Sequence, residues 1–300
     1  MSVEINYWKK KLNLIEWKKK PKKIFYKKKN NKFEWFQDGK VNVAYNCLEN
    51  KKNLNKIAIH FIDKNYSISS YSYKELSSLV DKFSFIIQKK IIINKKSNII
   101  IHSSASIESA VSMLACAKLG IAHSVIFENL SSESILLRIK LLNPDLIITR
   151  SDPKQFNRDL IPALKLYNNK KLNVISFSSY KLKHPNLENI SISEINNFVS
   201  KKTSYNFVSS NHTLFTLFTS GSTGVPKGII HSTGGYLLYS KYTCIKQFGI
   251  KKNSVILTAS DAGWINGHTY ALYGPLSIGA TSVLIEKPFI LLNQNFLLKI

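Results

Sequence analysis

Between Lys56 and Phe177 the apolar residues fall into short runs that alternate with longer stretches of helical period, and this alternation leaves few folds open. Lys56–Ile62, Asn98–His102, Ala122–Phe127, Asp145–Thr149 and Leu172–Phe177 read as buried strands. Tyr73–Lys89, Ile107–Leu119, Ser131–Leu142 and Asn157–Tyr167 read as the helices that separate them. Strand and helix in repeated succession predict an α/β fold with mostly parallel strands. A chain of 300 residues with 44% hydrophobic content can bury one large or two moderate cores, which argues against disorder. Residues 186–212 are polar, rich in Ser and Asn and weakly periodic, so they divide the expected fold into two successive, mostly parallel sheet subdomains with flanking helices. The expected organisation is an N-terminal extension and opening segment over 1–54, a first α/β subdomain over 55–185, the connecting segment 186–212, and a second α/β subdomain over 213–300.

The second subdomain carries the run Thr219-Ser220-Gly221-Ser222-Thr223-Gly224-Val225-Pro226-Lys227-Gly228 between two apolar stretches. Small hydroxyl residues, glycines and one lysine in this order suit a polyphosphate. Glycines let successive N–H groups approach anionic oxygens, while the hydroxyls donate and Lys227 brings a mobile charge. The flanks Thr213–Phe218 and Gly228–Ser232 are expected to be strands. The spacing differs from G-x-x-x-x-G-K-[ST], because Pro226 precedes the lysine and Gly228 follows it. No helix can start at Lys227 and no hydroxyl stands where a magnesium ligand would be needed. Taken in isolation, the run also fits a Ser/Gly/Thr-rich linker.

Net charge is +25, from 43 basic and 18 acidic residues. Lysines are scattered with Asn and Ile along the chain, as AT-rich coding would produce, so charge alone does not make this a nucleic-acid binder. The dense cluster Lys9–Lys32, interleaved with Trp17, Phe25 and Tyr26, reads as a solvated basic face, with a polyanion-binding arm as the alternative. Cys47, Cys116 and Cys244 are far apart and lack metal-ligand spacing, which favours small buried hydrophobes in a reducing cytoplasm. The longest apolar stretch, Ala105 to Phe127, is broken by Glu108, Lys118 and His123, so neither a membrane span nor a secretory signal is expected.

Beyond the loop come His231-Ser232-Thr233-Gly234-Gly235-Tyr236, Asp261-Ala262-Gly263-Trp264-Ile265-Asn266-Gly267-His268-Thr269-Tyr270 and Tyr273-Gly274-Pro275-Leu276. Upstream stand Trp35–Cys47, Tyr71–Leu76, Met113–Gly120 and His123–Phe127. Together these segments resemble the acetyl-CoA synthetase branch of the adenylate-forming, AMP-forming acyl-CoA synthetases from about Trp35 onward. The resemblance implies the N-terminal part of such an enzyme's large domain. It also implies activation of a short-chain carboxylic acid such as acetate by ATP, with transfer to CoA and Mg2+ as activator. The adenine-binding segment and the C-terminal lysine domain of the family would lie beyond Ile300, leaving catalytic residues unassigned and a second chain as one possible source of the rest. The alternative is a non-catalytic fragment or subunit that binds nucleotide or a partner chain.

By the same resemblance, Thr219, Ser220, Gly221, Ser222, Thr223, Gly224 and Lys227 hold the ATP phosphates. Magnesium is expected on the nucleotide, since no carboxylate cluster offers a metal site. Trp264, Ile265, Asn266 and Gly267 line the acyl pocket and the tunnel for the CoA thiol, the indole shortening the pocket. For Trp264 alone, a core aromatic is the alternative. Asn266 departs from the threonine or valine common in the family, and His231 and His268 are expected as structural hydrogen bonders. Glu128-Asn129 replaces a Gly-Gly turn near the CoA phosphates, Lys287–Ile290 replaces another CoA-touching segment, and Arg158 is the remaining counterpart of a basic CoA segment.

Overall fold

The computed structural model describes residues 2–27, 33–49, 54–167, 172–177, 181–199, 201–219 and 225–286. The elements that carry the fold are β1 (Ile57–Ile62), β2 (Ile68–Ser72), α1 (Tyr73–Lys90), β3 (Asn98–His102), α2 (Ile107–Leu119), β4 (Ala122–Ile126) and α3 (Ser132–Leu142). They continue through β5 (Leu146–Thr149), β6 (Asn173–Ser176), β7 (Leu187–Asn189), β8 (Thr213–Thr219), β9 (Lys227–Ser232), α4 (Thr233–Lys246), β10 (Val255–Leu257) and β11 (Thr281–Ile285). Lys287–Ile290, expected to replace a CoA-touching segment, lies outside the described residues.

Two mostly parallel sheets with flanking helices result. The larger has seven strands in the order β7-β6-β5-β3-β4-β8-β9, with β9 alone antiparallel to its neighbour. The smaller has the order β10-β11-β1-β2, with β2 antiparallel to β1. Each sheet takes strands from both halves of the chain, and residues 186–212 supply β7 to the larger one and lead on to β8 of the same sheet. The cause is β2, a polar and largely exposed strand that the sequence pattern concealed inside the approach to α1. By returning antiparallel beside β1 it closes that edge, and the next strand, β3, starts the other sheet. α1 begins at a capping box in which Ser72 Oγ accepts from Glu75 N and Glu75 Oε2 accepts from Ser72 N.

β3 lies inside the larger sheet, and Ile99, Ile100 and Ile101 are fully buried. Ile99 and Ile101 join the core with α1 and α2, while Ile100 joins the opposite core with α3 and the segment 156–167. That two-sided burial explains the uninterrupted aliphatic run. The helix expected over Asn157–Tyr167 is instead a π turn, Phe156–Leu160, leading into a helix at Ile161–Leu166. A second π turn, Thr269–Tyr273, precedes the helix Gly274–Ile278. Pro162 and Pro275 follow these turns. A proline lacks the N–H that would complete the α-helical ladder and crowds the carbonyl four residues back, so the preceding turn widens.

Among the described residues of the N-terminal basic cluster most lysines are exposed, while Trp17 Nε1 donates to Leu12 O and, just before the cluster, Trp8 meets Tyr242 edge-on at 5.3 Å. The three cysteines are buried and free, and burial pushes their thiols up. Among the described residues no helix is long and apolar enough to cross a membrane.

The connecting segment is pinned by a buried cation. Lys118, 1% exposed, donates to Asp81 Oδ1 at 2.8 Å and sits 4.3 Å from the Tyr205 ring centroid. Asp81 Oδ1 also accepts from Thr203 N. Burial alone would raise the Asp81 carboxyl, but the Lys118 and Thr203 contacts outweigh it and hold it below its usual range. Lys118→Ala is expected to cost about 3 kcal/mol by leaving Asp81 without its cation. Part of that loss should return in the double variant with Asp81→Ala, measured by urea denaturation.

Candidate functional site

β8 and β9 form the hairpin that presents the glycine-rich loop. Phe218 faces Gly228 and Thr219 faces Lys227 across the ladder, with Thr219 Oγ1 at 3.5 Å from Lys227 O. Both flanking strands match their expected bounds to within a residue. Ser220, Gly221, Ser222, Thr223 and Gly224 lie outside the described residues. Thr219 and Lys227 therefore mark the two sides of the loop's mouth, and both are exposed.

The second group of candidates sits on a tight turn after β10. Asp261 Oδ1 accepts from Gly263 N at 2.8 Å, and Trp264 N donates to Asp261 O. Trp264 is 61% exposed, so it is not a core aromatic; its ring lies 5.3 Å from Phe127 at the end of β4. Ile265 and Asn266 are also exposed, whereas Gly267 is buried. A Cβ on Gly267 would stand 2.2 Å from Asp261 O, so only glycine permits this closure. The turn thus holds three side chains outward on one short helical segment, Ile265–His268.

One ring joins the two groups. Phe215, on β8, lies 4.5 Å from His231 on β9 and 4.3 Å from His268, which follows directly on Gly267. Tyr236 meets the same ring edge-on at 4.8 Å. His268 Nδ1 lies 3.1 Å from Trp264 O and donates to it, tying the stack to the turn. Burial lowers the His268 pKa to about 3 and holds His123 well below its usual value. Neutral, enclosed imidazoles act as rigid spacers rather than bases.

A charged cluster missing from the sequence expectations lies where the strands end. Arg150, after β5, pairs with Glu108 of α2 at 3.1 Å and with Glu286 after β11 at 2.8 Å. Glu286 Oε2 accepts from Lys64 N, and Glu128 Oε1 accepts from Ser104 N. Burial raises the Glu128 carboxyl, against the Ser104 and Arg150 contacts that lower it. Burial, with Glu128 nearby, also pushes Asp261 up to about 6. Arg158 sits in the π turn after β5 and gives both Nε and Nη2 to Asp159, at 2.7 and 2.6 Å. A signal existed for Arg150: the chain has only three arginines, Arg138, Arg150 and Arg158, among its 43 basic residues. In so lysine-rich a chain, arginine marks places where a planar fork is needed.

The fold and the hairpin define an α/β protein of two mostly parallel sheets with a glycine-rich sequence between the last two strands of the larger sheet. A model of the AMP-binding enzyme family matches residues 48–299, and one of the acetyl-coenzyme A synthetase N-terminus matches residues 4–47. The chain belongs to the AMP-binding enzyme family. It is 35% identical to an acetyl-coenzyme A synthetase of Helicobacter pylori (strain P12) over 265 residues, 85% of this chain and 40% of that protein. It is equally 35% identical to one of Herminiimonas arsenicoxydans over 268 residues, with the same coverage. The solved acetoacetyl-CoA synthetase from Streptomyces lividans shares the fold, with TM-score 0.83 and 16% identity over 96% of this chain and 45% of that one. The chain spans about two fifths of the length of the curated relatives it matches.

Because the folded Asp261 carboxyl titrates near 6, above its ordinary 3.8, the folded state holds a proton that the unfolded state has lost between these values. Stability is then lost as pH rises from 4 to 6 and stays reduced above. Asp261→Asn keeps an acceptor for Gly263 N and removes the buried charge. It should stabilise the chain by about 2–3 kcal/mol at pH 8 and hardly at all at pH 4, read from chemical denaturation at both.

Proposed function

We propose that this chain forms the N-terminal part of a cytoplasmic AMP-forming ligase that activates a short-chain carboxylate with ATP and passes the acyl group to CoA. The observation that carries this reading is the β8–β9 hairpin, with Thr219 and Lys227 at its mouth, joined through Phe215 to the turn that exposes Trp264, Ile265 and Asn266. The match to the AMP-binding enzyme family over 48–299 supports it. In the first half-reaction a carboxylate oxygen attacks the α-phosphorus and the bond to the bridging oxygen breaks, releasing pyrophosphate. In the second, the CoA sulfur attacks the acyl carbon, the acyl–phosphate C–O bond breaks, AMP leaves and the thiol proton is lost.

Lys227 and the hydroxyl and amide donors of 219–224 neutralise charge on the leaving pyrophosphate, a task of position and electrostatics. Magnesium, bound with the nucleotide, would supply further positive charge to the phosphates. Among the described residues no group of three His, Cys, Asp or Glu side chains is placed to hold it, so it would ride on the nucleotide. Trp264 would wall the acid pocket and Asn266 would offer an amide to the acid or the thiol arm.

A second reading is that the chain supports adenylate formation but not thioester transfer. Two features favour it: Glu128 brings a carboxyl rather than a donor, and Arg158 already gives Nε and Nη2 to Asp159. In an assembly that supplies the remaining length of the relatives, acid-dependent ATP–pyrophosphate exchange and CoA-dependent AMP release separate the two readings. Exchange without AMP release selects the second.

Lys227→Ala should lower pyrophosphate exchange at sub-saturating ATP about tenfold to a hundredfold, the loss of one charge-assisted contact, with the fold intact. Unchanged exchange would remove Lys227 from the phosphate site. Asn266→Thr should shift preference toward acetate and Asn266→Val toward propionate by about tenfold, measured as the ratio of kcat/KM for the two acids. If both variants keep the parental ratio, the pocket lies elsewhere.

A further inference from the structure

Phe127 follows directly on β4, and the turn that displays Trp264 rests against its ring. The two ring centroids lie 5.3 Å apart with their planes at 58°, the one ring contact that Trp264 makes among the described residues. The same Phe127 ring lies against the backbone of Gly263, where a Cβ would stand 2.6, 2.8 and 2.9 Å from its Cε1, Cδ1 and Cζ atoms. Gly263 is not one of the glycines with a positive φ, so it is the ring, and not a left-handed backbone, that excludes a side chain there. Phe127 is in turn held by its neighbour, since Glu128 Oε1 accepts from Ser104 N at 3.0 Å. The turn is anchored separately: Gly263 N donates to Asp261 Oδ1 and Trp264 N to Asp261 O, bonds that fix the backbone but not the direction of the indole.

We propose that Phe127 is a positioning residue for the acid pocket: seated on Gly263, its ring holds the Trp264 indole in one direction and so sets the length of acid that the pocket accepts. The inference rests on the reading of Trp264 as a wall of that pocket. With its backbone fixed, an exposed indole still has several staggered rotamers open to it. A second ring packed at a defined tilt selects among them. A wall held in place penalises each extra methylene of an acid, and a wall free to swing penalises it much less. Phe127 acts through Trp264 and is given no contact with the reacting atoms. The contact is made within this chain, between the end of β4 and the turn after β10, and it requires neither residue to face solvent.

The test labels the four tryptophans of the 300-residue chain with 5-fluorotryptophan and identifies the Trp264 resonance by its loss in Trp264→Phe. Phe127→Leu should narrow that fluorine line by about half as the indole gains rotamer freedom, and Phe127→Tyr, which keeps the ring, should retain the parental width. Gly263→Ala leaves Phe127 in the chain but displaces its ring, so it should narrow the line as Phe127→Leu does, and the two together should add nothing further. In an assembly that supplies the remaining length of the relatives, Phe127→Leu should raise the ratio of kcat/KM for butyrate over acetate about tenfold, while Phe127→Tyr keeps the parental ratio. An unchanged linewidth in both Phe127→Leu and Gly263→Ala overturns the proposal and leaves the ligase reading as it was. A narrowed line with a parental acid ratio also overturns it. Absence of acid-dependent pyrophosphate exchange in the parental assembly overturns the ligase reading and the acid preference built on it, while the linewidths still decide whether Phe127 places the indole.

Discussion

The candidate site depends on the placement of one aromatic ring. Phe215 stands on β8, the last parallel strand of the larger sheet, and is enclosed by His231, His268 and Tyr236. The hairpin that presents Lys227 and the turn that presents Trp264 are over thirty residues apart in sequence and belong to different layers. They share this contact. Burial holds the pKa values of His268 and His123 low, so these two enclosed imidazoles are neutral and their placement is set by packing. In the proposed function a phosphate-holding loop and an acid pocket must keep a fixed spacing for a carboxylate to meet an α-phosphorus, and this stack would supply it.

The α/β class was legible because β3 and β5 carry uninterrupted aliphatic runs, Ile99–Ile101 and Leu146–Ile148, which fit strands covered by helices on both faces. Which sheet each strand joins was not legible. β1 and β3 have similar apolar texture, and the choice between them is made by β2, whose ISSYS sequence carries little strand signal. The π turns before Pro162 and Pro275 were likewise hidden, since a proline inside a helical period predicts a break but not the form it takes. In the site, the strands on either side of the loop could be read from their apolar runs. Gly267 was marked by resemblance as a pocket residue, but the reason it must be glycine rests on a backbone carbonyl, Asp261 O, brought close by folding.

Charge divides along similar lines. A net +25 suggests little by itself, because most lysines are solvated and scattered. The three arginines are different: Arg150 binds two glutamates between the sheets, Arg158 holds its neighbour Asp159, and Arg138 lies over Phe218 of β8. Around Arg150 three glutamates share one cation, so the strand ends carry excess negative charge in a protein that is strongly basic elsewhere. Glu128 and Asp261 are raised by that setting, chiefly through burial, and the cost is borne at the turn that displays Trp264.

The claim that Phe215 couples the hairpin to the turn is most directly tested by amide hydrogen exchange on Phe215→Leu, which keeps an apolar strand residue and removes the stacked ring. The account predicts that amides of Ile229 to His231 and of Trp264 to His268 lose protection together, each by about tenfold, equivalent to ~1.4 kcal/mol of local stability. Loss confined to β8 and β9, with Trp264 to His268 exchanging as before, would contradict it.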